Sequence, residues 1–195
     1  AAGARAVADG ASLRAGDAEP PAVPPRTLVL GGTSAGKSVE AERRLSAFPE
    51  VEYVATGGAR DGDAEWARRV LDHRERRPPS WRTTESCDLV PLLAADGPPL
   101  LVDCLSLWLA DAMDAAGSWD GGEVGPRTAE LVEAFRTTRR TVVAVSNEVG
   151  SGVVPATRSG RLFRDELGRL NAAVAGECEQ VLLVVAGQVV PLREG

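Results

Sequence analysis

The eight residues GGTSAGKS fit the pattern G-x-x-x-x-G-K-[ST]. In such a loop the glycines let backbone N–H groups turn inward around a phosphate, and the next helix adds a favourable dipole. Lys37, the only lysine of the chain, would reach the β- and γ-phosphates, while Ser38 would bind Mg²⁺. A chance glycine-rich turn is the alternative. The pattern predicts a nucleoside triphosphate site made of Gly31, Gly32, Thr33, Ser34, Ala35, Gly36, Lys37 and Ser38.

A carboxylate follows a second apolar run. Asp103 ends PLLVD, where a ligand of magnesium-bound water is expected in P-loop folds. The competing role is the N-cap of the helix LSLWLADA, and both roles can hold together. Guanine-specific switch proteins would add an N-K-x-D motif, which this chain lacks because its one lysine lies in the glycine-rich loop. A regulatory GTPase is therefore disfavoured.

Strand and helix patterns alternate along the chain around these residues. Apolar runs predict strands at 27–32, 51–56, 98–105 and 141–149, and then at QVLLVVAG and QVVPL on either side of Gly187. Helices are predicted from Lys37 towards Phe48, at 62–77, in DLVPLLAA, in LSLWLADAMDAA, at 126–140 and at 161–175, with loops at 117–125 and in GSGVVPATRSG. Strands that are almost wholly apolar are typical of a mostly parallel sheet covered by helices on both faces. We predict this α/β fold, closed by a C-terminal antiparallel hairpin.

Composition limits the partners. The 195 residues, of which 44% are hydrophobic and 26% charged, suit one folded domain. A formal net charge of −6 disfavours nucleic acid or a membrane recognised by bulk charge. The three cysteines are widely spaced without a C-x-x-C pair and there is one histidine, so the clustered ligands of a structural zinc site are not expected, and sparse cysteines suit a reducing cytoplasm. No apolar run approaches the ~20 residues that span a bilayer.

The first 26 residues differ from the rest in composition. They are rich in Ala, Gly and Pro with scattered charges, and they lack the continuous apolar core of a signal peptide. We expect residues 1–26 to be a flexible tail or a linker to an upstream domain. Residues 27–195 are predicted to form the nucleotide-binding domain.

Three further segments extend the pattern of the glycine-rich loop. They are ARRVLDHRERRPPSWRT (67–83), LLVDCLSLWL (100–109) and SNEVGSGVVPATRSGRLFRDELGRLN (146–171). In this order the chain resembles the bifunctional adenosylcobinamide kinase/adenosylcobinamide-phosphate guanylyltransferase family of cobalamin biosynthesis, over about residues 27–192. Two positions depart from the family pattern. Ala172 stands where the family often has glutamine, and Asp72 precedes His73 where some relatives have two histidines.

The resemblance implies a RecA-like P-loop domain assembled as a homotrimer in the cytoplasm. Such enzymes phosphorylate adenosylcobinamide with a nucleoside triphosphate, ATP or GTP, in the presence of Mg²⁺. They then transfer GMP from GTP to the new phosphate through a GMP–histidine intermediate, which gives adenosylcobinamide-GDP.

His73 is the only imidazole and matches the H-x-x-x-R-P position of that family. A lone histidine on a charged helix is usually a solvated surface residue, but a neutral imidazole can also attack the α-phosphorus of GTP. Its neighbours Arg74, Arg76 and Arg77 would offset phosphate charge and keep the imidazole neutral. The alternative for these arginines is a solvated helix face paired with Asp72 and Glu75.

Other polar residues are candidates for the site because they lie near the end of a predicted strand or because of the family resemblance. Thr56, Gly57 and Gly58 follow the second strand, where nucleotides lie in doubly wound folds. The family pattern assigns guanine-nucleotide contacts to this turn and to Glu85; the alternatives are a helix or turn cap for Thr56 and plain surface for Glu85. We also expect the segment Arg74, Glu75, Arg76 and Arg77 to bind the nucleotide. Asn147 and Glu148 either orient substrate or magnesium or cap the loop. Arg161, Arg164 and Asp165 form either a corrinoid or subunit surface or a helix salt-bridge ladder. The tryptophans are expected to pack.

Two other functions stay open on the sequence. One is a small-molecule P-loop kinase without guanylyl transfer, and the other is a RecA-like nucleotide-binding module. Covalent labelling by GTP is expected only of the kinase/guanylyltransferase.

Overall fold

The computed structural model describes residues 23–57 and 77–194. Its strands in these ranges are β1 (Arg26–Gly31), β2 (Glu52–Ala55), β3 (Arg82–Glu85), β4 (Leu100–Asp103), β5 (Val142–Asn147), β6 (Gln180–Val185) and β7 (Gln188–Arg193). Its helices there are α1 (Lys37–Leu45), α2 (Leu89–Ala94), α3 (Leu105–Ala115), α4 (Gly125–Thr137) and α5 (Arg158–Glu177), with a 3₁₀ turn at Ser118–Asp120. The predicted tail up to residue 22 and most of the predicted helix 62–77 lie outside the described residues.

The strands form one sheet in the order β3-β2-β4-β5-β1-β6-β7. All neighbouring pairs are parallel except β6 and β7, which are antiparallel. One strand, β5, separates the strand before the glycine-rich loop from β4, the strand that ends at Asp103. The predicted mostly parallel sheet and the C-terminal antiparallel hairpin are thus confirmed.

Both faces of the sheet are covered, as the apolar strands predicted. Strand residues on one face pack against α2, α3, α4 and α5, with Phe135, Trp108 and Leu167 almost fully buried. Residues on the other face pack against α1 and Trp81. Because side chains alternate along a strand, each buried strand contributes to both clusters: Val143 and Val145 face α1, whereas Val142 and Ala144 face the four helices. Trp81 and Trp108 pack in the core as expected.

One strand was missed in the sequence. The segment RTTE forms β3 and pairs in parallel with β2 at the edge of the sheet. Three of its four residues are exposed, so it has no apolar run to mark it. A polar edge strand is common because only one side of it is paired and its faces need not be buried.

Local sequence explains several boundaries. Thr157 begins α5 because its Oγ1 accepts a hydrogen bond from the N–H of Gly160 at 3.1 Å. Pro126 lies in the first turn of α4, where its missing N–H has no consequence. Ala186 and Gly187 join β6 to β7 with φ values of 50° and 74°, the left-handed conformations that a tight hairpin turn requires.

A buried ionic cluster joins the amino ends of two strands. Arg140 donates to Glu52 Oε2 at 2.9 Å and also to the carbonyl oxygens of Pro98 and Leu92. Glu52 Oε1 accepts from Thr84 at 2.8 Å. The two charged side chains therefore satisfy each other at the end of the sheet opposite to the glycine-rich loop.

Candidate nucleotide-binding and catalytic site

The loop Gly31–Ser38 connects β1 to α1 and wraps the N-terminus of that helix. Gly31 has no space for a side chain, since a Cβ there would lie 2.4 Å from the carbonyl oxygen of Val184. Gly36 has φ 102°, which L-residues rarely adopt. The glycines of the motif therefore have a structural reason: one passes close to β6 and the other turns the chain into the helix.

The C-terminal hairpin supports this loop. The N–H of Gly187 donates to the carbonyl of Ala35 at 3.1 Å, and the N–H of Glu148 donates to that of Gly31 at 2.9 Å. Two separate segments thus fix the loop backbone. A rigid loop keeps its N–H groups pointed at a ligand without paying the ordering entropy at the moment of binding.

Lys37 is only 8% exposed. Its ammonium donates to the carbonyl of Gly32 at 2.6 Å, so it folds back over the loop itself. Burial lowers the pKa of Lys37, and the nearby Cys104 and Asp103 partly oppose that shift. A buried ammonium with a single backbone partner among the described residues is suited to bind phosphate oxygens, which offer it more negative charge.

Asp103 ends β4 beside this lysine. Its Oδ2 accepts a hydrogen bond from the hydroxyl of Tyr53 at 2.8 Å. Burial, and then Asp103, raise the pKa of Tyr53, so this tyrosine stays protonated and remains a donor. The carboxylate at the strand end is therefore held by β2, and the N-cap alternative is not what the structure shows, since α3 has Cys104 at its N-cap without a side-chain cap.

Arg77 is the last residue of the DHRERR segment and the only one of its predicted nucleotide contacts within the described residues. Its guanidinium carbon lies 3.7 Å from the centroid of the Tyr53 ring, a cation–π contact. Its Nη1 also donates to Thr83 at 3.1 Å. Arg77 and Asp103 thus contact the same tyrosine, one at its ring and one at its hydroxyl.

Thr56 is buried and bridges two strands. Its hydroxyl donates to the carbonyl of Cys104 at 2.7 Å and accepts from the N–H of Cys104 at 2.8 Å. These contacts fix the chain directly after Asp103. Gly57 follows it at the same edge, and Glu85 is exposed at the end of β3, beside Ala55 in register.

A polar chain lies at the ends of β4 and β5. Asn147 donates through Nδ2 to Ser106 Oγ at 2.8 Å, and Ser106 Oγ is 2.9 Å from Cys104 Sγ. Asn171 donates to the carbonyl of Asn147 at 3.0 Å and accepts from Ser146 at 2.6 Å. The end of β5 is therefore tied both to the segment after Asp103 and to α5.

The remaining predicted residues have other surroundings. Glu148 Oε1 accepts from the N–H of Gly150 at 2.8 Å, which is the loop-capping role. Arg161 donates to the carbonyls of Pro155 and Ala156, and Arg164 pairs with Asp165 at 3.1 Å. His73 and the predicted contacts Gly58, Arg74, Glu75 and Arg76 lie outside the described residues, so their assignment stays a prediction.

Two residues at the site were not singled out in the sequence. Tyr53 is the only tyrosine of the chain and lies in a short buried strand, which was a usable signal. Ser106 follows Asp103 by three positions, but no pattern marks it, because its partner Asn147 lies 41 residues away.

The donor set at this edge fits magnesium. Ser38 lies in the first turn of α1, and Asp103 ends β4. Hydroxyl and carboxylate oxygens are ligands that Mg²⁺ takes, together with water and substrate phosphates. Among the described residues no group of three or more His, Cys, Asp and Glu side chains could hold a metal ion. Mg²⁺ needs no such group when phosphates complete its shell.

The glycine-rich loop, the buried lysine and the carboxylate on the same sheet edge define a P-loop nucleotide-binding domain. The comparisons with known proteins are more specific. Residues 27–192 match the family described as "Cobinamide kinase / cobinamide phosphate guanyltransferase". The chain belongs to this family.

Three curated relatives agree with it. The bifunctional adenosylcobalamin biosynthesis protein CobP of Pseudomonas aeruginosa is 41% identical over 175 residues, which cover 86% of this chain and 97% of that protein. The bifunctional adenosylcobalamin biosynthesis proteins CobU of Salmonella typhimurium and of Escherichia coli are each 35% identical over 180 residues, covering 85% of this chain and 98% of theirs.

Among solved structures, "a prototypical ATPase from the type III secretion system of pathogenic bacteria" aligns with 81% of this chain at a TM-score of 0.47 and 14% identity. This chain spans about half of that one, since the alignment covers 50% of it. The likeness is too distant to bear on function. Within the described ranges, no helix has the length and apolar character that a membrane crossing requires.

Proposed function

We propose that this protein phosphorylates adenosylcobinamide with a nucleoside triphosphate and then transfers GMP from GTP to the product. The observation that carries the proposal is the family match over residues 27–192, together with a P-loop whose lysine is buried beside Asp103. In the first reaction the hydroxyl oxygen of the acceptor bonds to the γ-phosphorus. The bridging P–O bond breaks, the nucleoside diphosphate leaves and the hydroxyl proton passes to solvent.

The P-loop residues would serve this step by holding charge. Backbone N–H groups of Gly32 to Lys37 would bind the phosphates, and the Lys37 ammonium would move from the Gly32 carbonyl to the β- and γ-oxygens. Mg²⁺, when bound by Ser38 and Asp103 through water, would supply further neutralisation of the phosphate charge. The Tyr53 hydroxyl would keep the Asp103 carboxylate in place for that role.

The second reaction would use His73. A ring nitrogen would attack the α-phosphorus of GTP and release pyrophosphate, which leaves GMP on the imidazole through a P–N bond. A phosphate oxygen of adenosylcobinamide phosphate would then bond to that phosphorus, and the P–N bond would break. Dividing one transfer into two steps is the usual benefit of covalent catalysis.

Arg77 supports this role for His73. Its guanidinium lies over the Tyr53 ring, and Tyr53 contacts Asp103. His73 precedes this anchored arginine by four residues. Thr56, Gly57, Gly58 and Glu85, with Arg74, Glu75 and Arg76, complete the guanine-nucleotide site in this proposal.

Labelling with α-³²P-GTP and Mg²⁺ tests the proposal. The wild-type protein should become labelled by a bond that acid cleaves and base leaves intact, because protonation makes imidazole a good leaving group. His73→Asn should take no label, since the substitution removes the nucleophile. It should still phosphorylate adenosylcobinamide. A label that survives acid, or that persists in His73→Asn, would contradict the assignment.

The family resemblance also supports a homotrimer in the cytoplasm. Light scattering should then give a mass near three times that of the 20.4 kDa chain. A mass of one chain at micromolar concentration would contradict it.

A further inference from the structure

Asn147 lies between the two parts of the site. It is the last residue of β5, directly opposite Gly31 in the parallel register with β1, and β4 with Asp103 runs on its other side. Because Val143 and Val145 face α1, alternation places the Asn147 side chain on that same face. Lys37 begins α1, so the amide stands at the sheet edge where a γ-phosphate would lie.

The side chain and backbone of Asn147 each have a hydrogen bond among the described residues. Its Nδ2 donates to Ser106 Oγ, and the hydroxyl proton of Ser106 is then available to Cys104 Sγ. Its main-chain carbonyl accepts from Asn171, whose own amide is held by Ser146. Within residues 23–57 and 77–194, Oδ1 of Asn147 has no hydrogen-bond partner.

This orientation decides which ligand group the amide can meet. Oδ1 only accepts hydrogen bonds, and phosphate oxygens of a bound nucleotide also only accept. A direct contact between them would place two acceptors together. The side chain therefore suits a ligand that brings a hydrogen to this edge, such as a hydroxyl.

We infer that Oδ1 of Asn147 accepts a hydrogen bond from the acceptor hydroxyl and so positions the hydroxyl oxygen for attack on the γ-phosphorus. The inference rests on the proposed kinase reaction. The amide removes no proton. It turns a lone pair of the hydroxyl oxygen towards phosphorus, and Ser106 keeps the amide from rotating.

Three variants test this role: Asn147→Leu, Ser106→Ala and, as a control away from the site, Ser46→Ala, which removes an exposed hydroxyl at the carboxyl end of α1. For phosphorylation of adenosylcobinamide, Asn147→Leu should lower kcat on the order of 10²-fold, the loss expected when a reacting group is misplaced by about 1 Å. The KM for the nucleotide should change by less than about 3-fold, since no phosphate contact is lost. Ser106→Ala should lower kcat less, and Ser46→Ala should leave it within about 2-fold.

Labelling of His73 by GTP distinguishes positioning of the acceptor hydroxyl from other roles of Asn147. Asn147→Leu should be labelled at nearly the wild-type rate, because attack on the α-phosphorus involves no acceptor hydroxyl. Equal losses of phosphorylation and labelling would instead indicate contact with a magnesium-bound water or general damage, and would overturn the inference. So would an unchanged kcat in Asn147→Leu, or an equal loss in Ser46→Ala. If the wild type itself shows neither phosphorylation nor labelling, the proposed function fails with it.

Discussion

At the amino-terminal end of the sheet, Glu52 is 3% exposed and Arg140 is 5% exposed, and each has several partners. Arg140 contacts a carboxylate and two backbone carbonyls, and Glu52 receives hydrogen bonds from Arg140 and Thr84 and an ion pair from Arg82. At the carboxyl-terminal end, Lys37 is buried to a similar degree. Among the described residues its ammonium has one hydrogen bond, to the Gly32 carbonyl.

Under the proposed function, the difference separates a charge that stabilises the fold from a charge that binds the phosphates of a nucleotide. Burying a charge is favourable only when partners replace its lost water. Glu52 and Arg140 meet that condition within the chain. Lys37 does not meet it until phosphate oxygens arrive, and Asn147 Oδ1 at the same edge is also without a partner among the described residues.

The largest expected effect is on Lys37. Lys37→Met removes the charge on the β- and γ-phosphates and keeps most of the side-chain length. Phosphorylation of adenosylcobinamide and labelling by GTP should each fall by at least about 10²–10³-fold, the range seen when a group that stabilises transition-state charge is lost. Because burial lowers the pKa of Lys37, the protonated amine is disfavoured in the folded state, so the melting temperature should stay equal or rise.

Reaction rates and thermal unfolding, measured on one preparation of Lys37→Met, check the predicted loss of activity and the predicted melting temperature. Near-normal labelling by folded Lys37→Met would contradict the P-loop assignment. A clear drop in melting temperature would show that Lys37 stabilises the fold and would contradict its contrast with Glu52 and Arg140.

For Arg140 we expect the reverse of Lys37, a loss of stability without a loss of activity. Arg140→Met leaves Glu52 buried without its main partner and removes the donor to two carbonyls, so the free energy of unfolding should fall by about 3–5 kcal/mol. The kcat per folded molecule should not change, since Arg140 lies at the far end of the sheet. Urea unfolding and assays at low temperature measure the two quantities separately.

Arg136 provides a matched control. It pairs with Glu133 on the surface of α4, where both side chains are more than half exposed. Arg136→Met should therefore leave stability almost unchanged, because exposed pairs are screened by water and salt. Equal losses of stability in Arg140→Met and Arg136→Met would mean that burial of the ion pair does not determine how much it stabilises the fold.

Much of this arrangement could be predicted from the sequence, for identifiable reasons. The helix α1 begins at Lys37 as predicted, because Gly36 and the helix formers after it act locally, and it ends at Leu45, before the predicted limit at Phe48. The strand β3 was missed because an edge strand needs no apolar pattern. The contacts of Tyr53 with Asp103 and of Asn147 with Ser106 depend on which strands are neighbours in the sheet. Local sequence patterns do not predict that order.

The smallest expected effect concerns pH and the Glu52 cluster. Burial alone would raise the pKa of Glu52, but hydrogen bonds from Arg140, Thr84 and Arg82 outweigh it and hold the pKa below its ordinary value. A carboxyl group whose pKa is lower in the folded state stabilises the protein above its unfolded pKa, about 4.3, and this contribution is lost as the pH falls through the folded pKa. Glu52→Gln keeps the shape but cannot ionise. The variant should therefore be less stable than the wild type at pH 7, and the difference should shrink as the pH falls below about 4.

Chemical unfolding of both proteins from pH 7 to pH 3 measures this difference. Other carboxylates with lowered pKa values, such as Glu40 and Glu179, titrate alike in the two proteins and cancel in the comparison. A difference that stays constant across this range would show that the charge of Glu52 does not contribute and that only its hydrogen bonds do. In that case the amino-terminal cluster would resemble an ordinary buried polar network. The contrast with Lys37 would then rest on the number of hydrogen bonds rather than on charge pairing.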